Sequence, residues 1–206
     1  MLRELIVGFF LTEGVVRGKF CFEDISFEFG EDIRADIPAL GEFATEGFTI
    51  TSGCVGGITF NRNRDFGRTT DPFSLKAASL EKVFRQFQRS GELYRQTGCV
   101  HSAALSDGES ILVFAEDIGR HNAVDKVIGH AIINDIPLTA KLMLVSGRLS
   151  SEIASKCARW GVPIVASRTA PTDLAIQIAE ASGVTLAGFV RGDRMNVYTH
   201  PLRIIL

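Results

Sequence analysis

The sequence lacks a surplus of either charge. Its 22 lysines and arginines stand against 24 aspartates and glutamates, a formal net charge of −2 over 206 residues. That balance argues against bulk nucleic-acid binding, which leaves a basic excess. Cysteine is scarce: four residues (Cys21, Cys54, Cys99, Cys157), widely spaced, are too few for a disulfide scaffold at this length. A reducing cytoplasm is therefore expected, and each thiol is core filler, ligand or nucleophile. No apolar run reaches the roughly 18 residues that would span a bilayer. The opening MLRELIVGFFLTEG, interrupted by Glu4 and without a small-residue cleavage site, reads as an amphipathic helix rather than a signal peptide. Internal repeats, low-complexity tracts and Pro/Ser-rich linkers are missing. So are a G-x-x-x-x-G-K-[ST] loop and a G-x-G-x-x-G after a strand, which leaves P-loop and Rossmann nucleotide binding unsupported. A closed zinc site finds no C-x-x-C.

What remains is a globular composition, 46% hydrophobic, long enough for one large domain or two small ones. Leu2, Leu5, Ile6, Phe9 and Phe10 follow helical spacing up to Gly14. FCFEDISFEF (20–29) alternates like a strand, with a phase slip at Glu23–Asp24 that predicts a turn or bulge. Short strand signals continue to residue 50. A glycine-dense turn, TSGCVGG (51–57), and a polar loop come next. Leu80, Val83, Phe84 and Phe87 predict a helix over 79–90 that Gly91 ends.

From residue 97 the pattern changes. Strands SILVFA (110–115), LMLVS (142–146), PIVAS (163–167) and TLAGFV (185–190) alternate with helices: one carrying Ala123, Val124, Val127, Ile128 and Ile132, then 150–160 and 172–182. This is an α/β chain whose sheet is covered on both faces. A smaller mixed α+β region (1–74) is expected to carry the Cys54 loop, ahead of an α/β core (75–206), with the boundary near 70–78.

Ligands of open α/β sheets collect outside the carboxyl ends of the strands. There the sequence places Glu116, Asp117, Gly119, Arg120 and His121; Gly147, Arg148 and Ser150; Arg168, Thr169 and Thr172; Arg191, Gly192, Asp193 and Arg194. Each such loop taken alone is explained by turn formation and helix capping. Four in succession, each with an arginine, favour a pocket for a phosphate-bearing ligand.

Among the cysteines, Cys21 and Cys157 read as structural. Cys54, flanked by Ser52, Gly53, Gly56 and Gly57, has the access and backbone N–H groups that a nucleophilic thiolate needs, beside the alternative of a turn cysteine without a role. Cys99 and His101, two residues apart, suit a thiol–imidazole pair or a metal edge, with packing the favoured fate of Cys99. His121 sits at the ligand edge and His130 on a helix surface.

GFFLTEGVV (8–16), TSGCVGG, TGCVHSAAL (97–105), EDIGRHNAVDKVIG (116–129), SGRLSSEIASK (146–156), SRTAPTDLA (167–175) and GFVRGDRMNVYT (188–199), in this order, resemble the formate dehydrogenase accessory sulfurtransferase (FdhD) family. The resemblance spans nearly the whole chain. It implies a cytidine-deaminase-like three-layer α/β core with a mixed sheet. The protein it implies is a cytoplasmic, homodimeric sulfur carrier with no tightly bound metal of its own. Such a carrier takes sulfur from a cysteine desulfurase and passes it to the molybdenum or tungsten bis-molybdopterin guanine dinucleotide cofactor of formate dehydrogenase. The persulfide cysteine of the family falls on Cys54, and its cofactor-binding segment on Phe189, Val190, Arg191, Gly192, Asp193 and Arg194. Gly57 stands where many members have a second cysteine, and Cys99 where glycine is usual, so on the resemblance Cys99 is either a substitute second thiol or space filler. The chain starts close to its first motif, without the strands members usually place before it, so the resemblance implies either a divergent short form or a misassigned start codon.

On this reading Arg120, Arg148, Arg168, Arg191 and Arg194 supply the pyrophosphate ligands, and Glu116 or Asp117 contacts guanine or ribose. Two rivals stand: a cofactor-binding chaperone without sulfur transfer, and a zinc hydrolase of deaminase type. The second needs an acid/base glutamate where the chain has Ala103.

Overall fold

The computed structural model describes residues 1–17, 21–38, 42–43, 48–51, 57–60 and 67–206, with backbone only at 16–17, 42–43, 48–51 and 57–60. Helix α1 (Leu2–Thr12) opens the chain, followed by β1 (Val16–Arg17) and a 3₁₀ turn at Phe22–Asp24 where the sequence pattern slipped phase. Strands β2 (Ser26–Phe29) and β3 (Ile33–Asp36) form a hairpin; β4 (Glu42–Phe43) pairs with β1, and β5 (Phe48–Thr51) with β6 (Gly57–Phe60). After β7 (Leu75–Lys76) come α2 (Ala77–Ser90), ended near Gly91 as its spacing predicts, and a short helix that the sequence left unassigned, α3 (Glu92–Thr97).

The central layer is one six-stranded sheet. It is built from β8 (His101–Ser106), β9 (Ile111–Asp117), β10 (Leu142–Val145), β11 (Ile164–Ser167), β12 (Thr185–Arg191) and β13 (Arg194–Val197), in the order β13-β12-β11-β10-β8-β9. Strands β10, β11 and β12 run parallel and the other pairings are antiparallel, so the sheet is mixed. The connecting helices are α4 (Arg120–Ile133), α5 (Ser151–Arg159) and α6 (Asp173–Ser182); a last short strand, β14 (Ile204–Ile205), pairs with β7.

The period of two along each strand divides the core. Met143, Val145, Val165 and Leu186 face a layer formed by Val124, Ile128, Ile153, Cys157 and Ile178 of α4, α5 and α6. Leu142, Leu144, Ile164 and Ala187 face Leu80, Val83, Phe84 and Phe87 of α2. Burial on both faces explains why these strands read as continuous apolar runs.

Helix α1 packs against the outer side of α4 through two glycines. A β-carbon on Gly8 would fall onto the Asp125 carbonyl; one on Gly129 would fall onto the Glu4 carbonyl and lie 2.7 Å from the Gly8 nitrogen. The backbones therefore approach as closely as only glycine permits. Gly129→Ala is expected to cost about 3 kcal/mol, the upper range for forcing atoms into a packed contact. In an open helix the same change would gain about 1 kcal/mol. The sign of the shift in the urea-unfolding midpoint decides between them.

Candidate functional site

The carboxyl ends of β10, β11 and β12 lie at one edge of the sheet. Because β8 and β13 are antiparallel to their neighbours, their first residues, His101 and Arg194, reach that same edge; the last residue of β9, Asp117, pairs with His101 there. The four polar loops that the sequence places after its strands are thus brought together. Helices α4, α5 and α6 all begin here, so three positive dipole ends face the edge.

Local hydrogen bonds shape the rim. The Ser167 hydroxyl donates to the Gly147 carbonyl at 2.6 Å, and the Thr172 backbone N–H donates to the Leu149 carbonyl at 2.9 Å, so the loops after β10 and β11 are stitched side by side. Thr172 also caps α6, its hydroxyl accepting from the Ala175 N–H at 3.3 Å. On the next strand, Phe189 sits in a β-bulge with a left-handed φ of +52°, strained for a side-chain-bearing residue, and remains 38% exposed. Its N–H donates to the Thr169 carbonyl at 3.2 Å. The Arg191 guanidinium lies 5.7 Å from the Phe189 ring centroid, and its Nε donates to the Arg168 carbonyl at 3.3 Å. Gly192 turns the β12–β13 hairpin with φ +58°, and Asp193 and Arg194, above 90% exposed, form its tip. Val190 is buried in the core beneath. Arg148 and Arg168 are exposed, whereas Arg120 is half-buried at the start of α4.

The two carboxylates proposed for base or sugar contacts are used internally. Glu116 accepts the Leu93 and Tyr94 N–H groups at 2.9 Å each, capping α3. Asp117 pairs with Lys126 at 2.6 Å and accepts from Gly119 N and Asn122 Nδ2. Burial, followed by the Arg120 and Lys156 charges, holds His121 down at about 4; its Nε2 lies 3.1 Å from the Ser150 hydroxyl. At pH 7 it is a neutral ring positioning a helix start. His130 sits 3.8 Å from Glu4 of α1 rather than on open surface.

Beside this rim lies a cavity of about 340 Å³, lined among others by Phe84, Phe87, Tyr94, Cys99, His101 and Arg168. Cys99 is exposed into solvent here instead of packing in the core, because it precedes β8 rather than belonging to it. Cys21 is exposed too, at the start of the 3₁₀ turn, which corrects its reading as filler. Cys157 is core filler as expected, its thiol pushed up to about 12 by burial. Ala103 is fully buried, so its position offers no acid/base group. Cys54 and most of its loop lie outside the described residues.

One cluster went unread in the sequence. The Lys156 ammonium, 3% exposed, donates to both Asp125 carboxylate oxygens (2.8 and 2.9 Å) and to the Thr12 hydroxyl (2.7 Å), and it pairs with Glu13 at 2.7 Å. Thr12 in turn donates to Asp125 at 2.7 Å. Burial alone would lower the ammonium pKa, but Asp125 and Glu13 hold it above its ordinary value. The signal was a lysine at i+3 from Ile153 on the apolar face of α5, and an aspartate next to Val124 in α4.

The FdhD/NarQ family model matches residues 1–205. A protein of Bacillus pumilus named sulfur carrier protein FdhD is 39% identical over 98% of this chain and 80% of its own length. Its namesake in Bacillus subtilis is 38% identical with the same coverage. The crystal structure of a formate dehydrogenase accessory protein from Desulfotalea psychrophila superimposes with a TM-score of 0.75 at 31% identity, covering 99% of this chain and 79% of that one.

Proposed function

This chain belongs to the FdhD/NarQ family, and from that premise we propose that it is a sulfur carrier serving formate dehydrogenase maturation. The Cys54 thiolate attacks the outer sulfur of a cysteine desulfurase persulfide, releasing the desulfurase thiol and leaving Cys54 as a persulfide. The outer sulfur is then delivered to the molybdenum or tungsten bis-molybdopterin guanine dinucleotide cofactor, the protein's client, before that cofactor enters formate dehydrogenase. The protein acts as a cytoplasmic homodimer.

The observation that carries the client half of this reading is the arginine rim. Arg148, Arg168, Arg191 and Arg194 stand exposed at one sheet edge where three helices begin. Planar guanidiniums bind pyrophosphate oxygens in pairs, and helix N-termini add oriented N–H groups. Phe189, exposed above the bulge and backed by Arg191, presents a ring face for a flat heterocycle. Phe189, Val190, Arg191, Gly192, Asp193 and Arg194 are the cofactor-binding segment, with Val190 anchoring it in the core.

Mass spectrometry after incubation with a desulfurase and cysteine is expected to find one added sulfur on the Cys54 peptide. Its absence would remove the sulfur-carrier half. For the client half, guanosine diphosphate is expected to bind wild type and to bind Arg191→Ala about tenfold or more weakly, the cost of one lost charge-assisted hydrogen bond. Equal binding to both proteins in calorimetry would remove Arg191 from the site.

A further inference from the structure

Three of the four histidines have a carboxylate beside the ring. His121 lies 3.9 Å from Glu152, His130 3.8 Å from Glu4 and His200 3.7 Å from Glu180. Among the described residues His101 has none. It is the first residue of β8, at the rim, and the charges that act on its ring are those of Arg120 at the start of α4 and Arg148 after β10. Gly147 draws these groups together. A β-carbon there would come 3.2 Å from the His101 Nδ1 and 3.3 Å from the Arg120 Cβ, so a bare backbone lets the loop after β10 close over both. The nearby carboxylates are engaged elsewhere. Asp117, opposite His101 in the β8–β9 register, pairs with Lys126 at 2.6 Å, and Glu116 caps α3. On its open side His101 lines the cavity of about 340 Å³ with Arg168.

We infer that His101 is a member of the client's anion site, with Arg120 and Arg148, and that its ring takes up one proton from solvent when a phosphate enters. The inference rests on the client half of the reading above. Burial, followed by the Arg120 and Arg148 charges, lowers the His101 pKa from its ordinary value, so without an anion the ring is neutral at pH 7. A phosphate held by the same arginines reverses that balance, because an anion within a few ångströms favours the charged ring. The charged ring then adds a charge-assisted hydrogen bond to the phosphate. Ser146 accommodates both states. Its hydroxyl, 3.4 Å from Nδ1, can donate to a neutral ring or accept from a charged one, and it accepts the Ser102 N–H at 2.9 Å in either case.

Because the anion raises the pKa of the ring, binding strengthens as pH falls through the window between the bound and the free values, and levels off below it. A terminal phosphate gains a proton of its own at about pH 6, which loosens its hold on arginine. The contribution of the ring is therefore read as a ratio between two proteins that bind the same ligand.

The test measures guanosine diphosphate binding to the full chain and to His101→Gln, whose side chain does not charge, from pH 8 to pH 5.5. The ratio of the two affinities is expected to grow severalfold in favour of wild type, up to about tenfold for each unit by which the anion raises the ring. A purely structural role for His101 would give a ratio that does not change with pH. In wild type alone, the His101 imidazole NMR signals, assigned from backbone connectivity, are expected to titrate at higher pH with the nucleotide than without it. A pH-independent ratio, or a His101 midpoint unmoved by bound nucleotide, would overturn the inference and leave the client reading standing. Failure of the nucleotide to bind wild type at any of these pH values would overturn both.

Discussion

Cys54→Ala is expected to fall to background in restoring formate dehydrogenase activity to cells lacking their own carrier. The reason is chemical rather than conformational. Alanine has no lone pair to attack a sulfane sulfur, and the other thiols do not replace it. Cys157 is buried and its thiol is pushed up to about 12. In the sequence, glycines at 53, 56 and 57 leave little side-chain bulk beside Cys54. Thermal unfolding of the variant should match wild type, which separates lost chemistry from lost structure. Restoration of full activity would leave the cofactor-binding chaperone as the better reading, because binding at the arginine rim needs no thiol.

Lys156→Met is expected to cost about 3–5 kcal/mol of stability, the range for removing one member of a buried ion pair. Methionine keeps most of the length but leaves Asp125 and Glu13 buried without their cation. All three ammonium protons are engaged, with Thr12, Glu13 and Asp125, and the ammonium also lies 5.8 Å from the Phe9 ring centroid. The cluster ties α1, α4 and α5 together, so its loss frees α1 as well as the charge. Adding Glu13→Gln and Asp125→Asn to Lys156→Met should recover part of the loss, since the uncompensated charges are then gone. A loss under about 1 kcal/mol, typical of exposed pairs, would show that water reaches the cluster. Denaturant midpoints of the single and triple variants measure both outcomes.

The role of Lys156 also shows where the sequence stopped being informative. Its motif, SGRLSSEIASK, is part of the resemblance, as are the strings holding Thr12, Glu13 and Asp125, yet nothing local assigns these residues to one another. Thr12 lies 113 positions from Asp125 and 144 from Lys156. Glu116 shows the converse error: its position after a strand suggested a ligand contact, but α3, six residues long and without strong periodicity, arrives to take its carboxylate. Cys99 was expected to share a strand face with His101 and to pack there, but the structure starts β8 two residues later, leaving the thiol exposed outside the sheet.

The sequence by itself determined the order of the major elements, the two-sided burial of the sheet and the gathering of arginine loops at one edge. These follow from periodicity along the backbone and from the rule that parallel strands joined by helices share a carboxyl end. Only the tertiary structure decided which polar residues face a ligand and which face one another. Burying a charge is tolerated only beside a partner, and partners distant in sequence are chosen by how helices pack. The near-zero net charge reflects both populations: an exposed rim of arginines, and a buried lysine neutralised by Asp125 of α4 and by Glu13 just past the end of α1.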